Sequence, residues 1–440
     1  MIRPNLRCLV AALVCLIFPS AAVHAQYAPH GAPGHPHLLQ LPQSSYQAPI
    51  VDHYIQGDPN AWDGDQPIEK FLGNVVSHSW LRVEFLMWNY RRPGDGIIGA
   101  PVNGLEQGVY PNQIEGITAP VNLNDNPVYP AAQFGQTLFP TLASLENQDI
   151  PGVRGTWGID LNGAELELSF FGMGQSSDEF FQDIAGPRQR LALQDPAIDP
   201  ALGTTTQPNY AIPLLNNGVI PSVADGTFGT IGPLSALAFT NTLNIEMESQ
   251  LWGTELALLT AKRIPGGVGP SWQWLGGFRY VNLDETFSIS GTSLVGPPSH
   301  IKSSTLNNLY GPEFGGRAAF TSRWVTFSAT PRVTFGLNDR TSTVVSNVLG
   351  VAGPRISDRT VEFGTITQLN LATEFHFSPA FSMFGGYDFM WMTGVTRPYE
   401  NIVYNSVTNV AGDVVPEIGQ HTNITNFMAH GFTIGAVFRY

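Results

Sequence analysis

Downstream of Gly73 the chain has no apolar run long enough for a membrane helix, yet many segments alternate strictly between apolar and polar residues. A spanning helix needs about 18 to 20 consecutive apolar residues, whereas a strand sends successive side chains to opposite faces. The segment 322–335 shows the alternation well: Val325, Phe327, Ala329, Val333 and Phe335 fall on one face, Thr326, Ser328, Thr330, Arg332 and Thr334 on the other. Leu81, Val83, Phe85 and Met87 oppose Arg82 and Glu84 in the same way. Phe381, Met383, Gly385, Tyr387, Phe389 and Trp391 oppose Ser382, Gly386 and Asp388. Ala164, Leu166, Leu168 and Phe170 oppose Glu165, Glu167 and Ser169, directly after Asn162-Gly163, a strong hairpin turn signal.

The pattern predicts ten strands, near 78–90, 152–161, 164–174, 241–260, 270–287, 304–320, 322–336, 360–377, 379–392 and 425–440. The connections then alternate between short (162–163, 261–269, Thr321, Ser378) and long or medium (91–151, 175–240, 288–303, 337–359, 393–424). A soluble sandwich has no reason to gather its tight turns at one end. An outer-membrane barrel does, because it combines short periplasmic turns, long outer loops and an even strand number. Closure also pairs every backbone amide within the protein, which hydrocarbon demands. The predicted fold is therefore all-β: a transmembrane antiparallel up-and-down β-barrel of about ten strands, twelve being the alternative, with both termini in the periplasm. Phe432, Ile434, Ala436, Phe438 and Tyr440 alternate up to a terminal aromatic, which reads as a C-terminal signal for the barrel assembly machinery.

Composition agrees. Of 440 residues only 13% are charged, against roughly a quarter in soluble domains, and the formal charge of −14 repels nucleic acid. The first 25 residues read as a signal peptide: Arg3 and Arg7, the apolar run Cys8 to Phe18, then Val23-His24-Ala25 as cleavage site. Both cysteines lie in that segment, so the mature chain is expected to hold no disulfide. Residues 26–73 form a Pro, His and Gln-rich periplasmic lead-in, and 74–440 the barrel. His30, His35, His37 and His53 match no structural zinc spacing, and Trp62 interrupts the calcium-like run Asp58, Asn60, Asp63 and Asp65, so no metal or other cofactor is expected.

If polar residues face inward throughout, the lumen receives Arg82, Glu84, Glu165, Glu167, Glu246, Glu248, Arg279, Arg317, Arg332, Glu374, His376, Asp388 and Arg439. Seven acids against five arginines fit either an ion-paired plug or a narrow route with weak cation preference. Around eight strands give a lumen that side chains just fill, and ten lie near that closed end. An enzyme is not expected: there is no G-x-S-x-G elbow, Gly172-Met173-Gly174 lacks the third glycine of a dinucleotide loop, and His376, His421 and His430 stand alone.

Six segments resemble the beta barrel porin family numbered seven: SWLRVEFLMW (79–88), SQLWGTELALL (249–259), LGGFRYVNLDE (275–285), NNLYGPEFGG (307–316), GGYDFMWMTGVTRPYENI (385–402) and HGFTIGAVFRY (430–440). The fifth looks like the family's penultimate strand and following loop, with Tyr399-Glu400 in place of Gly-Asp. The resemblance implies residence in the outer membrane of a Gram-negative-type bacterium, lipid contact, and porin-like passage of ions or small polar solutes. The alternative is a non-conducting structural or surface-binding barrel that displays the loops 91–151 and 175–240.

Overall fold

A computed structural model describes residues 78–101, 137–138, 140–145, 147–161, 163–183, 209–220, 236–239, 241–261, 268–292, 297–411 and 414–440. The expected signal peptide, lead-in and its histidines lie outside these residues. Ten long strands form the wall: β1 (Ser79–Tyr90), β2 (Ile150–Leu161), β3 (Ala164–Met173), β4 (Thr242–Thr260), β5 (Gly269–Thr292), β6 (Ser299–Thr321), β7 (Val325–Val348), β8 (Ile356–His376), β9 (Phe381–Val395) and β10 (Thr425–Arg439). Each pairs antiparallel with the next, and β1 pairs with β10 from Trp80↔Arg439 to Tyr90↔Ala429, which closes the barrel.

Among the described residues the tight turns fall at one end, where Gly163 between β2 and β3 takes φ +108°, open to glycine at no steric cost. At the other end the hairpins are longer than the sequence pattern suggests. β5 and β6 stay paired up to Gly291↔Ser299, and β7 and β8 up to Val344↔Ile356, so most of the expected loops 288–303 and 337–359 is strand.

The reason lies in a switch of polarity along each strand. In the lower half of β5 the outward side chains are Trp272, Trp274 and Phe278, all exposed, while Gln273 and Arg279 are buried inside. Further up, the outward positions become Asp284, Thr286, Ser288 and Ser290, and the buried ones Phe287 and Ile289. β7 does the same: Phe327, Phe335 and Leu337 face out below, and Val344 and Val348 are buried above. Lipid surrounds the lower half and water the upper half, so apolar residues face out in one and in in the other.

Described parts of the connections 91–151, 175–240 and 393–424 pack into the top. Asn209–Pro213 pairs with Ala236–Phe239 and with Thr137–Leu138, and Ile402–Thr408 pairs with Val414–Gln420 and Leu215–Asn216. From these come Tyr210, Ile212, Leu214, Leu237, Phe239, Ile402, Tyr404 and Ile418, which bury against Leu243, Ile245, Met247, Phe287, Ile289 and Ile301 of the wall. The loops thus make an apolar cap over the barrel mouth.

Candidate functional site: a charged chamber beneath a plug

Below the cap the lumen is filled in three layers. Nearest the tight turns is a chamber of about 640 Å³, reached at the rim formed by His78, Ser79, Asp160, Ala164 and Tyr440. Its walls are charged and cross-linked. On one side Arg154 of β2 bridges Glu84 of β1 (3.2 Å) and Asp388 of β9 (3.1 Å), while Arg82 meets Glu84 at 2.8 Å. Thr433 and Asn370 donate to the same two carboxylates, at 2.9 and 2.8 Å. On the other side Arg317 of β6 donates to Glu167 of β3 at 2.8 Å, and Glu165 accepts from Gln273 and the Trp80 indole. Arg332 of β7 reaches Glu255 of β4, with Glu313 3.7 Å and Glu167 3.9 Å away. Arg439 pairs with Glu374. His376 sits between Thr326 (2.8 Å) and Ser382 (3.0 Å).

Above the charges comes an apolar layer: Leu86, Trp88, Phe171, Leu251, Val281, Leu309, Ile366, Met390 and Phe427 are all buried. The third layer is the end of β9 and the segment that follows it. It starts at Gly394, whose φ of +72° turns the chain inward, and runs through the short 3-10 turn Pro398–Glu400. Asn307 and Asn338 hold it from the wall: Asn338 Nδ2 donates to the Gly394 carbonyl at 2.8 Å, and Asn307 binds Thr396 on both its N–H and its carbonyl. Asn401 donates to Ser342 and Thr396. Arg397 is 1% exposed and crosses the lumen to Glu285 of β5, itself 1% exposed, with Nε–Oε2 at 2.7 Å and an Nη2 donor to Oε1 at 2.8 Å. Ser249 donates to the same carboxylate at 3.1 Å, and the guanidinium lies 5.3 Å from the Phe427 ring. Within the cap, burial pushes the Tyr210 phenol up to about 12 and that of Tyr404 further still.

Of the residues expected in the lumen, Arg82, Glu84, Glu165, Glu167, Arg279, Arg317, Arg332, Glu374 and Arg439 line the chamber, Asp388 reaches it through Arg154, and His376 lies beside Glu374. Glu246 and Glu248 do not belong with them. Leu243, Ile245, Met247 and Ser249 are the buried positions of upper β4, which sends Glu246 and Glu248 outward; Ser177 donates to Glu246 at 3.0 Å. The expectation assumed polar-inside everywhere, and that half of β4 stands in water. Sequence pattern also missed Arg154, Glu255, Glu285, Glu313 and Arg397. Four of these five sit inside segments of family resemblance, Glu255 in 249–259, Glu285 in 275–285, Glu313 in 307–316 and Arg397 in 385–402. Arg154 lies among glycines 152, 155 and 158, where no alternation shows.

A closed ten-stranded antiparallel barrel with lipid-facing aromatics outside and ion pairs inside is an outer-membrane β-barrel. The family model described as Putative beta barrel porin-7 (BBP7) matches residues 131–440, and the chain belongs to that family. No curated protein matches the sequence. Solved structures similar to it include the outer-membrane protease OmpT of Escherichia coli, at 7% identity and a TM-score of 0.39, covering 83% of this chain and 97% of that one. The translocator domain of the autotransporter NalP from Neisseria meningitidis shares 10% identity at a TM-score of 0.29, covering 86% and 96%. The P. putida toluene transporter TodX follows at 5% identity and 0.15, covering 82% and 89%. Likenesses this distant say nothing of function; the family and the fold place the chain in the outer membrane, in contact with its lipid.

Proposed function

We propose that the barrel is closed at rest: a non-conducting outer-membrane element that carries a rigid, loop-built surface on its outer end. One observation carries this reading, the fully buried Arg397–Glu285 pair spanning the lumen between the apolar layer and the cap. An ion crossing the barrel would have to break that pair and then enter a dry layer, a transfer that costs several kcal/mol or more. The charge balance of the lumen supports the same reading. Glu84, Glu165, Glu167, Glu255, Glu285, Glu313, Glu374 and Asp388 face Arg82, Arg154, Arg279, Arg317, Arg332, Arg397 and Arg439, so nearly every charge is matched inside and little is left to select cations.

Planar-bilayer recording on the refolded chain tests it. Silence from the folded wild type, with conductance steps on Arg397→Ala, is the expected outcome; steady wild-type steps would overturn the closed state. A second reading keeps the porin-like passage of ions or small polar solutes, and the chamber favours it, since a volume of 640 Å³ open at one end is half of a route. Passage would then require withdrawal of residues 394–401.

We assign the chain no catalysis. Among the described residues Ser382, His376 and Glu374 approach a hydrolytic triad, but Ser382 is wholly buried, and Nδ1 of His376 faces both Ser382 (3.0 Å) and Glu374 (3.5 Å) while Nε2 is taken by Thr326. The C-terminal run Phe432, Ile434, Ala436, Phe438 and Tyr440 keeps its proposed role toward the assembly machinery; Phe432, Ile434 and Phe438 lie on the exposed outer face, and Tyr440 is exposed at the chamber rim.

A further inference from the structure

The lower wall turns bulky side chains toward lipid on β1 and β10, with Phe85, Met87, Phe432 and Ile434 all exposed. Across β6 to β9 it does not. One outward row runs through Ala318, Ala329, Leu371, Tyr387 and Phe432, and the row below it through Phe320, Phe327, Thr373 and Gly385. Ala318 and Ala329 in the first row and Thr373 and Gly385 in the second form the floor of an apolar groove of about 690 Å³ that crosses four strands obliquely. Leu371 and Tyr387 wall it on the upper side, Phe320 and Phe327 on the lower, and Phe432 stands at its β10 end. Packing within the sheet does not demand so small a residue as Gly385. A Cβ there would meet nothing nearer than the Thr433 carbonyl at 4.0 Å, and the backbone shows neither a positive φ nor a register shift at that point. Glycine inside a strand weakens it, and apart from bulges and bends it marks a place where a ligand or another backbone comes close.

The periplasmic side of the groove ends at a charge. Phe320 and Phe327 are the last outward pair of the β6–β7 hairpin, and the turn that joins these strands carries Arg323 and Trp324, both exposed. The turn is fixed: the Ser322 N–H donates to the Val325 carbonyl at 2.8 Å, and the Ser322 hydroxyl accepts from the Val325 N–H at 3.2 Å. Arg323 lies 5.4 Å from the Trp324 ring and forms no ion pair among the described residues. Tryptophan settles at the boundary between bilayer and water, so this guanidinium stands at the level of the lipid headgroups, next to the lower wall of the groove.

We infer that the groove binds a glycerophospholipid of the periplasmic leaflet, with one acyl chain along Ala318, Ala329, Thr373 and Gly385 and the phosphate at Arg323. Charge selects this occupant. A molecule that fills the groove and also meets Arg323 carries an anion at the interface and an apolar tail reaching into the wall, and guanidinium forms strong charge-assisted hydrogen bonds with phosphate. A second barrel is a poorer fit, because burying apolar surface gains little where the surrounding solvent is itself hydrocarbon. Lipid against a convex wall exchanges freely, whereas a chain held along a groove and by its phosphate is retained. The inference stands beside the proposed function and does not depend on whether the barrel conducts.

Dioleoylphosphatidylglycerol is the probe, titrated into the full refolded chain in detergent and counted by native mass spectrometry. The expected result is a single lipid per chain that survives excess detergent, bound roughly tenfold or more weakly in Gly385→Leu, which fills the floor, and in Arg323→Gln. Gly155→Leu places the same side chain in open space on the outward face of β2, away from the groove, and is expected to bind as the wild type does. Each variant is first shown to fold by its heat-modified gel mobility, and Ala329→Leu takes the place of Gly385→Leu if that variant does not fold. No retained lipid, unchanged binding in the folded groove variant, or an equal loss in Gly155→Leu would overturn the inference. Dioleoylglycerol bound as tightly as the phospholipid, or unchanged binding in Arg323→Gln, would remove the phosphate contact and overturn it as well. Dimers of the wild type that Gly385→Leu turns into monomers would give the groove to a second copy instead. None of these results touches the bilayer recording that tests closure.

Discussion

Asn307 grips Thr396 with both halves of its amide: its oxygen accepts from the Thr396 N–H at 2.9 Å, and its nitrogen donates to the Thr396 carbonyl at 3.0 Å. Asn307 is wholly buried on β6, and its partner sits 89 residues away in the plug. A backbone peptide bound in this manner is held as a strand neighbour would hold it. Asn307→Ala leaves a buried N–H and C=O unpaired at a cost of about 1–3 kcal/mol. Hydrogen exchange at the Thr396 amide is expected to speed up by roughly 10- to 100-fold, with exchange in the lower wall unchanged. Unaltered exchange would show that the amide clamp does not hold the plug.

The Arg397–Glu285 pair behaves differently when cut than when replaced. Arg397→Ala strands a buried carboxylate with only Ser249 to support it, and a loss of about 3–5 kcal/mol is expected. The double variant Arg397→Met, Glu285→Met removes both charges and is expected to recover most of that loss. Unfolding in denaturant, followed by gel mobility, compares the three. A double variant as weak as the single one would mean that the pair's charge, and not its uncompensated half, holds the plug.

Inside and outside are tested by moving a charge along the wall. Phe85 faces lipid and is 45% exposed, so Phe85→Arg is expected to cost about 2–4 kcal/mol and to depress folding into bilayers. Glu246→Arg, on the outer face of upper β4, is expected to shift stability by no more than about 0.5 kcal/mol. Similar losses for both would contradict the change of surroundings partway along the strands.

The cap has its own pH window. Burial raises the Tyr210 phenol to about 12, from an unfolded value near 10. Its neutral form is favoured when folded, so the contribution of Tyr210 is fully present below about pH 10 and is lost as pH rises from there through about 12. Alkaline titration followed by tyrosinate absorbance is expected to lose part of its component near 12 in Tyr210→Phe, Tyr399 supplying the rest. Loss of a component near 10 instead would place Tyr210 in water.

Strand number, closure and the end that carries the tight turns were legible because period two is a property of neighbours in sequence. Phe85 beside Glu84, or Leu168 beside Glu167, tells which residue meets lipid without any knowledge of the partner strand. What faces a strand from outside is not written in that period. Ile245 and Glu246 alternate as cleanly as Leu256 and Glu255, yet the meaning of in and out is opposite, because one pair stands in water and the other in lipid. The plug was illegible for a different reason. Asn307, Asn338 and Glu285 acquire their roles from a loop that returns to the lumen from 56 to 112 residues away, and Arg397 becomes a lumen residue from outside any strand.

The extension of β5 through β8 beyond the lipid has a mechanical result. A strand of 24 residues, such as β5, tilted in the manner of such barrels rises roughly 60 Å, against an apolar band of about 25 Å. The hairpins therefore act as a mast, with the woven loops at its head. Whatever approaches the cell from outside meets that head well before it meets the bilayer, and anything docking there is held off the membrane by the height of the stalk.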